Sequence, residues 1–209
     1  MYLSPTQNVV SVLVYVFPLV FKTQKLKQNY TTIFNKVFRQ LKKEREKGIK
    51  IMAKVEVGQK APDFTLYDTE RKQRKLSEFM GKKTVIAFFP GAFTGICTRE
   101  ACKLRDDLSK LQKMGAQIVG ISVDSPFANK GFVDANKLSF PFLSDYGRQT
   151  IAKYGLELNN FAGLPNYLVA KRSIFITDKD GIVRFKWVTD DPGIEPNYEE
   201  ISKALASIK

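Results

Sequence analysis

Residues 84–113 read TVIAFFPGAFTGICTREACKLRDDLSKLQK, and this stretch decides the fold. Thr84 to Phe89 is a nearly unbroken apolar run of strand length, the pattern of a strand buried on both faces. Ala101, Leu104, Leu108 and Leu111 fall on one helical face, so Thr98 to Lys113 reads as an amphipathic helix. Gly115 is well placed as its C-terminal stop. A buried strand that runs through a short loop into a helix is the unit from which α/β sheets are built.

The pattern continues on both sides. Upstream, Gly58 to Pro62 is a turn region that leads into a short strand, Phe64-Thr65-Leu66. Arg71 to Lys75 reads as a charged turn, and Leu76 to Phe79 as a short helical turn closed by Gly81. Downstream, Gln117 to Val123 is a second buried strand and Pro126 to Asn136 a second helix. Phe140 to Leu143 is a short strand, and Arg148 to Tyr154 a further helix. Ser173 to Thr177 and Ile182 to Val188 are strands joined by Asp178-Lys179-Asp180-Gly181, a strong hairpin signal. Tyr198 to Ile208 closes the chain as an amphipathic helix. Two βα units, a β-hairpin and a last helix give the order of a thioredoxin-like α/β fold. Its central mixed β-sheet is flanked by helices and preceded by an N-terminal extension.

The 209 residues suffice for one domain and an appendage, divided near Met52 into a leader, 1–52, and a main domain, 53–209. Ten Lys or Arg and two Glu give the leader +8 of the chain's net +13. The basicity therefore says little about what the main domain binds. That domain carries no recognisable nucleic-acid motif, so no nucleic-acid partner is expected.

Within the leader, Val9 to Phe21 is apolar apart from Ser11 and Pro18. Thirteen helical residues reach roughly 20 Å, short of the ~30 Å hydrocarbon core of a bilayer. Tyr30, Ile33, Phe34, Val37, Phe38 and Leu41 then fall at helical spacing, with Lys36, Arg39, Lys42 and Lys43 between them. This is a basic amphipathic helix suited to an anionic membrane surface. The competing reading is a mis-assigned upstream start, since Met52-Ala-Lys-Val-Glu-Val-Gly resembles an ordinary protein beginning. The expected location is cytoplasmic, with membrane contact if the leader is real.

The chain has no histidine and two cysteines. That removes Cys-His and Ser-His nucleophile pairs, histidine metal ligands and histidine-ligated haem. Two cysteines cannot build a Cys₄ site, and they suit a reducing compartment better than a disulfide scaffold. No metal, flavin or nucleotide cofactor is implied. Any thiol chemistry must be activated by something other than imidazole. Cys97 lies at or near the first turn of the helix that follows the buried strand. Unpaired backbone N–H groups and the helix dipole favour a thiolate there. Thr94, three residues earlier, could turn its hydroxyl into the same pocket, and Pro90 stiffens the loop and removes a competing N–H. A fixed cation is still wanted, and the local sequence offers Arg99 and Arg105. Phe88, Phe89 and Phe93 read as core or pocket wall.

Pro90, Thr94 and Cys97 match Pro-x-x-x-Thr-x-x-Cys, and the chain resembles the peroxiredoxins over about residues 55–209. It looks most like the branch of bacterioferritin comigratory protein, with the alkyl hydroperoxide reductase E group as a neighbour. The resemblance implies a thiol peroxidase for hydrogen peroxide and organic hydroperoxides, passing through a sulfenic acid on Cys97. It also implies that Arg172, just before the strand at Ser173, supplies the missing cation and that Glu100 orients it. In that branch a Cys-x₄-Cys pair resolves the sulfenic acid, which makes Cys102 the resolving candidate. A thioredoxin-like or other thiol reductant is then the expected partner, and the chain a monomer or homodimer.

Five helical residues would place the Cα atoms of Cys97 and Cys102 roughly 8–9 Å apart, beyond the ~7 Å a disulfide tolerates. Pairing would require the first turns of the helix to unwind. Two alternatives stand beside this reading. One is a one-cysteine enzyme resolved by an external thiol, with Cys102 a buried small hydrophobe. The other is a non-enzymatic adaptor on the thioredoxin fold.

Overall fold

The computed structural model describes residues 54–208 together with Asn35, Lys36, Arg39 and Gln40. Those four are helical and exposed. The apolar stretch from Val9 to Phe21, and the apolar face expected at Tyr30, Ile33, Phe34, Val37, Phe38 and Leu41, lie outside the described residues. Contacts separate a unit of Met1–Ile51 from a unit of Met52–Lys209. The second carries the architecture that follows.

Strands β1 (Thr65–Asp68), β2 (Gln73–Lys75) and β3 (Lys83–Phe88) lead into helix α1 (Gly95–Lys113). Then come β4 (Ala116–Ser122), α2 (Pro126–Asn136), β5 (Phe142–Ser144) and α3 (Gln149–Tyr154). Two short strands, β6 (Glu157–Leu158) and β7 (Val169–Ala170), pair with each other outside the main sheet. Finally β8 (Ser173–Thr177), β9 (Val183–Val188) and α4 (Tyr198–Ser207) complete the order. The main sheet runs β2-β1-β5-β4-β3-β8-β9. The β3–β4 and β4–β5 pairs are parallel, and the outer pairs antiparallel. This is the thioredoxin-like mixed sheet that the element order predicts.

The central strand explains why both faces need cover. Val85, Ala87 and Phe89 point into the cluster formed with α1, α2 and α4, whereas Ile86 and Phe88 point into the cluster formed with α3. All five are fully buried. Alternating side chains that are apolar on both faces can only be satisfied between two layers.

The structure alters several boundaries. Gln73 to Lys75 of the expected charged turn form edge strand β2, paired with Thr65–Tyr67. Asp68 Oδ1 closes the intervening turn by accepting from the N–H groups of Glu70 and Lys72. A strand made of Gln, Arg and Lys shows no apolar alternation, yet it suits a solvated edge, where charge discourages further pairing. β6 and β7 are too short to show a period. Helix α1 begins at Gly95, three residues before the expected start at Thr98, with Thr94 as its N-cap.

Gly120 of β4 shows how tightly the α1 side is filled. A Cβ there would lie 2.5 Å and 2.7 Å from two ring atoms of Phe142. That ring packs against Phe89 and Phe132 with centroids 5.3 Å and 5.6 Å away, so it has no room to swing aside. Gly120→Ala is therefore expected to destabilise the domain by ~1–3 kcal/mol, the usual cost of overpacking, read as a lower midpoint in urea unfolding.

Candidate active site

Gly95, Ile96 and Cys97 are the first three helical residues of α1. The Thr94 side chain makes no capping hydrogen bond to the helix, so it leaves the donors of that first turn to other acceptors. Instead Thr94 Oγ1 donates to the carbonyl of Gly91 at 3.1 Å. Its lone pairs therefore remain able to accept from a substrate hydroxyl. The preceding loop is pinned from outside: Ala92 N–H donates to Asp124 Oδ2 at 2.7 Å, just beyond the end of β4. Pro90 is buried at the start of this loop, directly after Phe89.

Arg172 supplies the cation. Its residue is 1% exposed, and its Nη2 donates to Cys97 Sγ at 3.4 Å, where Cys97 is itself wholly buried. The β3–β8 register sets this contact. Phe88 pairs with Ser173, so the residue before Ser173 stands beside the loop that leaves β3. Arg172 Nη1 donates to Glu100 Oε2, and Nε and Nη2 both donate to the carbonyl of Pro192, at 3.2 Å and 2.8 Å. Burial opposes the charge on Arg172, but Cys97 and Glu100 together hold its pKa above the ordinary value. The guanidinium therefore stays protonated against the sulfur.

Glu100 is fully buried, one helical turn beyond Cys97, and its Oε1 has no hydrogen-bond partner. Burial drives its carboxyl from an ordinary 4.5 up to about 7, against the pull of Arg172. The nearby Glu195 adds to the rise.

Cys97, Arg172 and Glu100 thus come together, with Thr94 and Pro90 on the adjoining loop. Cys102 does not join them. It is half-buried, and its Sγ lies 3.8 Å from Asn136 Oδ1 at the end of α2. Both cysteines are free thiols. The two local arginines serve elsewhere: Arg99 pairs with Glu195 at 3.0 Å, and Arg105 binds Asp106 and the carbonyl of Asn136. Phe88 and Phe89 are core, as expected. Phe93 is not core: it is 60% exposed, has φ +61°, and sets its ring edge-on to Phe132.

Pro192, Asp124 and Glu195 shape the site without having been singled out in the sequence. The run Asp190-Asp191-Pro192-Gly193 carries a legible turn signal. Nothing in it says that a carbonyl there would receive an arginine distant in the chain.

A thiol at an open helix N-terminus, held by a buried guanidinium on a thioredoxin-like sheet, defines a thiol-based redox enzyme. The comparisons make this specific. Residues 57–186 match the AhpC/TSA family. Chloroplastic peroxiredoxin Q of Populus jackii is 40% identical over 158 residues, 76% of this chain and 71% of that protein. A putative peroxiredoxin bcp of Coxiella burnetii is 37% identical over 133 residues, 64% of this chain and 88% of that protein. The crystal structure of peroxidoxin BcpB from Mycobacterium tuberculosis matches with a TM-score of 0.64 and 28% identity, over 74% of this chain and 99% of that one. The chain belongs to the AhpC/TSA family; it is a peroxiredoxin, a thiol-dependent peroxidase. Among the described residues no helix is long and apolar enough to cross a membrane.

The buried carboxyl makes stability depend on pH. A carboxyl whose folded pKa is raised contributes most below its unfolded value, here about 4.5, and that contribution falls as pH rises through about 7. Glu100→Gln keeps the shape but cannot ionise. Its melting temperature relative to wild type should therefore climb between pH 5 and pH 7 and level off above, as thermal unfolding across a pH series would show.

Proposed function

We propose that Cys97 is the peroxidatic nucleophile, that Thr94, Arg172 and the Cys97 backbone N–H stabilise its reaction, and that Cys102 resolves the product. The observation that carries this reading is the buried contact between Arg172 Nη2 and Cys97 Sγ at 3.4 Å. A guanidinium fixed there stabilises the charge that develops on the peroxide oxygens during the attack. The thiolate attacks one oxygen of hydrogen peroxide or an organic hydroperoxide. The O–O bond breaks, the other oxygen leaves as water or an alcohol once protonated, and Cys97 becomes a sulfenic acid. Thr94 Oγ1 and the first-turn N–H groups of α1 orient the peroxide. Pro90 keeps the loop rigid, and Glu100 holds the guanidinium in line.

Cys102 then condenses with the sulfenic acid, and a thioredoxin-like protein reduces the disulfide. The free thiols and their separate settings support a cycle in which the start of α1 unwinds before the disulfide forms. A one-cysteine cycle closed by an external thiol is the alternative outcome of the test below. Residues 53–209 are the catalytic domain in this reading. Residues 1–52 are a basic leader that offers contact with an anionic membrane surface, with the catalytic domain in the cytoplasm as a monomer or homodimer.

The intact mass of the reduced protein after one equivalent of hydrogen peroxide, under non-reducing conditions, tests the cycle. A loss of two hydrogens, absent from Cys102→Ser, is the expected result. A gain of oxygen on Cys97 in wild type instead would assign resolution to an external thiol. Cys97→Ser should consume no peroxide. Arg172→Lys keeps a charge but loses the planar fork, and should slow the reaction of Cys97 with peroxide by ~10²-fold in stopped-flow kinetics.

A further inference from the structure

Cys102 is held by a small polar device at the far end of α2. Its Sγ donates to Asn136 Oδ1 at 3.8 Å. Asn136 Nδ2 donates to the carbonyl of Phe132 at 2.9 Å, which turns the amide so that its oxygen faces the thiol. Arg105, one turn beyond Cys102, donates from Nη1 to the backbone carbonyl of Asn136 at 2.6 Å. On the other side of Cys97, the ring of Phe93 lies 5.5 Å from that of Phe132. Helix α2 therefore grips the segment around Cys97 both before and after the cysteine. Any approach of Cys102 to Cys97 must first release the Asn136 contact.

We propose that Asn136, braced by Arg105, is a latch that holds Cys102 away from Cys97 and sets the rate at which the two condense. The proposal rests on the reading of Cys102 as the resolving thiol. In that step Cys102 loses its proton and its sulfur attacks the sulfenic sulfur of Cys97. The S–S bond forms and the S–O bond breaks. The departing hydroxide takes up a proton and leaves as water. The Cys102 sulfur is oxidised and the sulfenic sulfur reduced, so no further reactant is needed. An amide oxygen accepts from the thiol but repels the thiolate. The latch therefore holds the Cys102 thiol in place, and it must let go before that sulfur can attack. Because a thiol is a weak donor, the hold is light and a fluctuation at the helix start can release it. Asn136 acts here as a positioning residue, through Cys102.

Two substitutions separate this from a packing role, because both remove the Nδ2 bond to Phe132. Asn136→Ala also removes the acceptor, and condensation should be about two- to fivefold faster, the scale of one weak hydrogen bond. Asn136→Asp keeps an acceptor and adds charge that repels the thiolate, so condensation should be slower than wild type by a similar factor. The full chain is reduced, mixed with one equivalent of hydrogen peroxide, acid-quenched at intervals and weighed intact. The appearance of the species lacking two hydrogens is compared with the preceding sulfenic acid in each variant. Opposite shifts in the two variants support the latch. Shifts in the same direction, or none, in a protein whose wild type forms the disulfide overturn the latch and leave the resolving role standing. If wild type gains oxygen and forms no disulfide, the resolving role itself fails, and the latch falls with it.

Discussion

The antiparallel pairing of β3 with β8 is the constraint on which the site depends. Its register sets Phe88 opposite Ser173, and the preceding Arg172 is thereby delivered to the end of β3, where the loop to Cys97 begins. Five consecutive residue pairs share that register, so a slip of one residue would break them together. It would also send the alternating side chains of β8 to the wrong faces. The position of one guanidinium is thus held by a whole strand and by the two apolar layers that strand separates.

The electrostatics show what the arrangement costs. Burying a carboxylate and a guanidinium is expensive, and such a pair often contributes little to net stability. Here one oxygen of Glu100 is left without a partner, and burial lifts the carboxyl to about 7. A site selected for stability would satisfy that oxygen or replace the pair with apolar side chains. In the proposed mechanism the pair serves to aim Arg172. Glu100 accepts from Nη1 and the Pro192 carbonyl from Nε and Nη2, and this fixes the guanidinium with Nη2 also directed at the sulfur.

The wall around the thiol is built on the same principle. Rings of Phe89, Phe132 and Phe142 pack behind the active-site loop and leave Gly120 no space for a side chain. Phe93 continues this aromatic set to the surface in a left-handed backbone conformation that is costly for a bulky residue. Helix α2 contributes Phe132 to the wall and Asn136 to the Cys102 contact. One helix thus borders both the aromatic wall of the site and the segment that carries Cys102.

Much of this was legible in the chain itself. The apolar run from Thr84 to Phe89 and the helical period from Ala101 to Leu111 are local signals that survive in one dimension. They established the βα unit and put Cys97 in the first turn of its helix. The hairpin signal at Asp178 to Gly181 and the Pro126 helix start were equally local. Thr94, Pro90 and Glu100 stood within a dozen residues of Cys97, and Arg172 could be named from the resemblance alone. Edge strand β2, without apolar alternation, and the two-residue strands β6 and β7 had no period to read. The Pro192 carbonyl, the Asp124 anchor and the Asn136 contact were decided only by tertiary structure. A hydrogen bond between groups far apart in the chain leaves no mark on either local sequence. It exists because strand register and helix packing bring its two ends together.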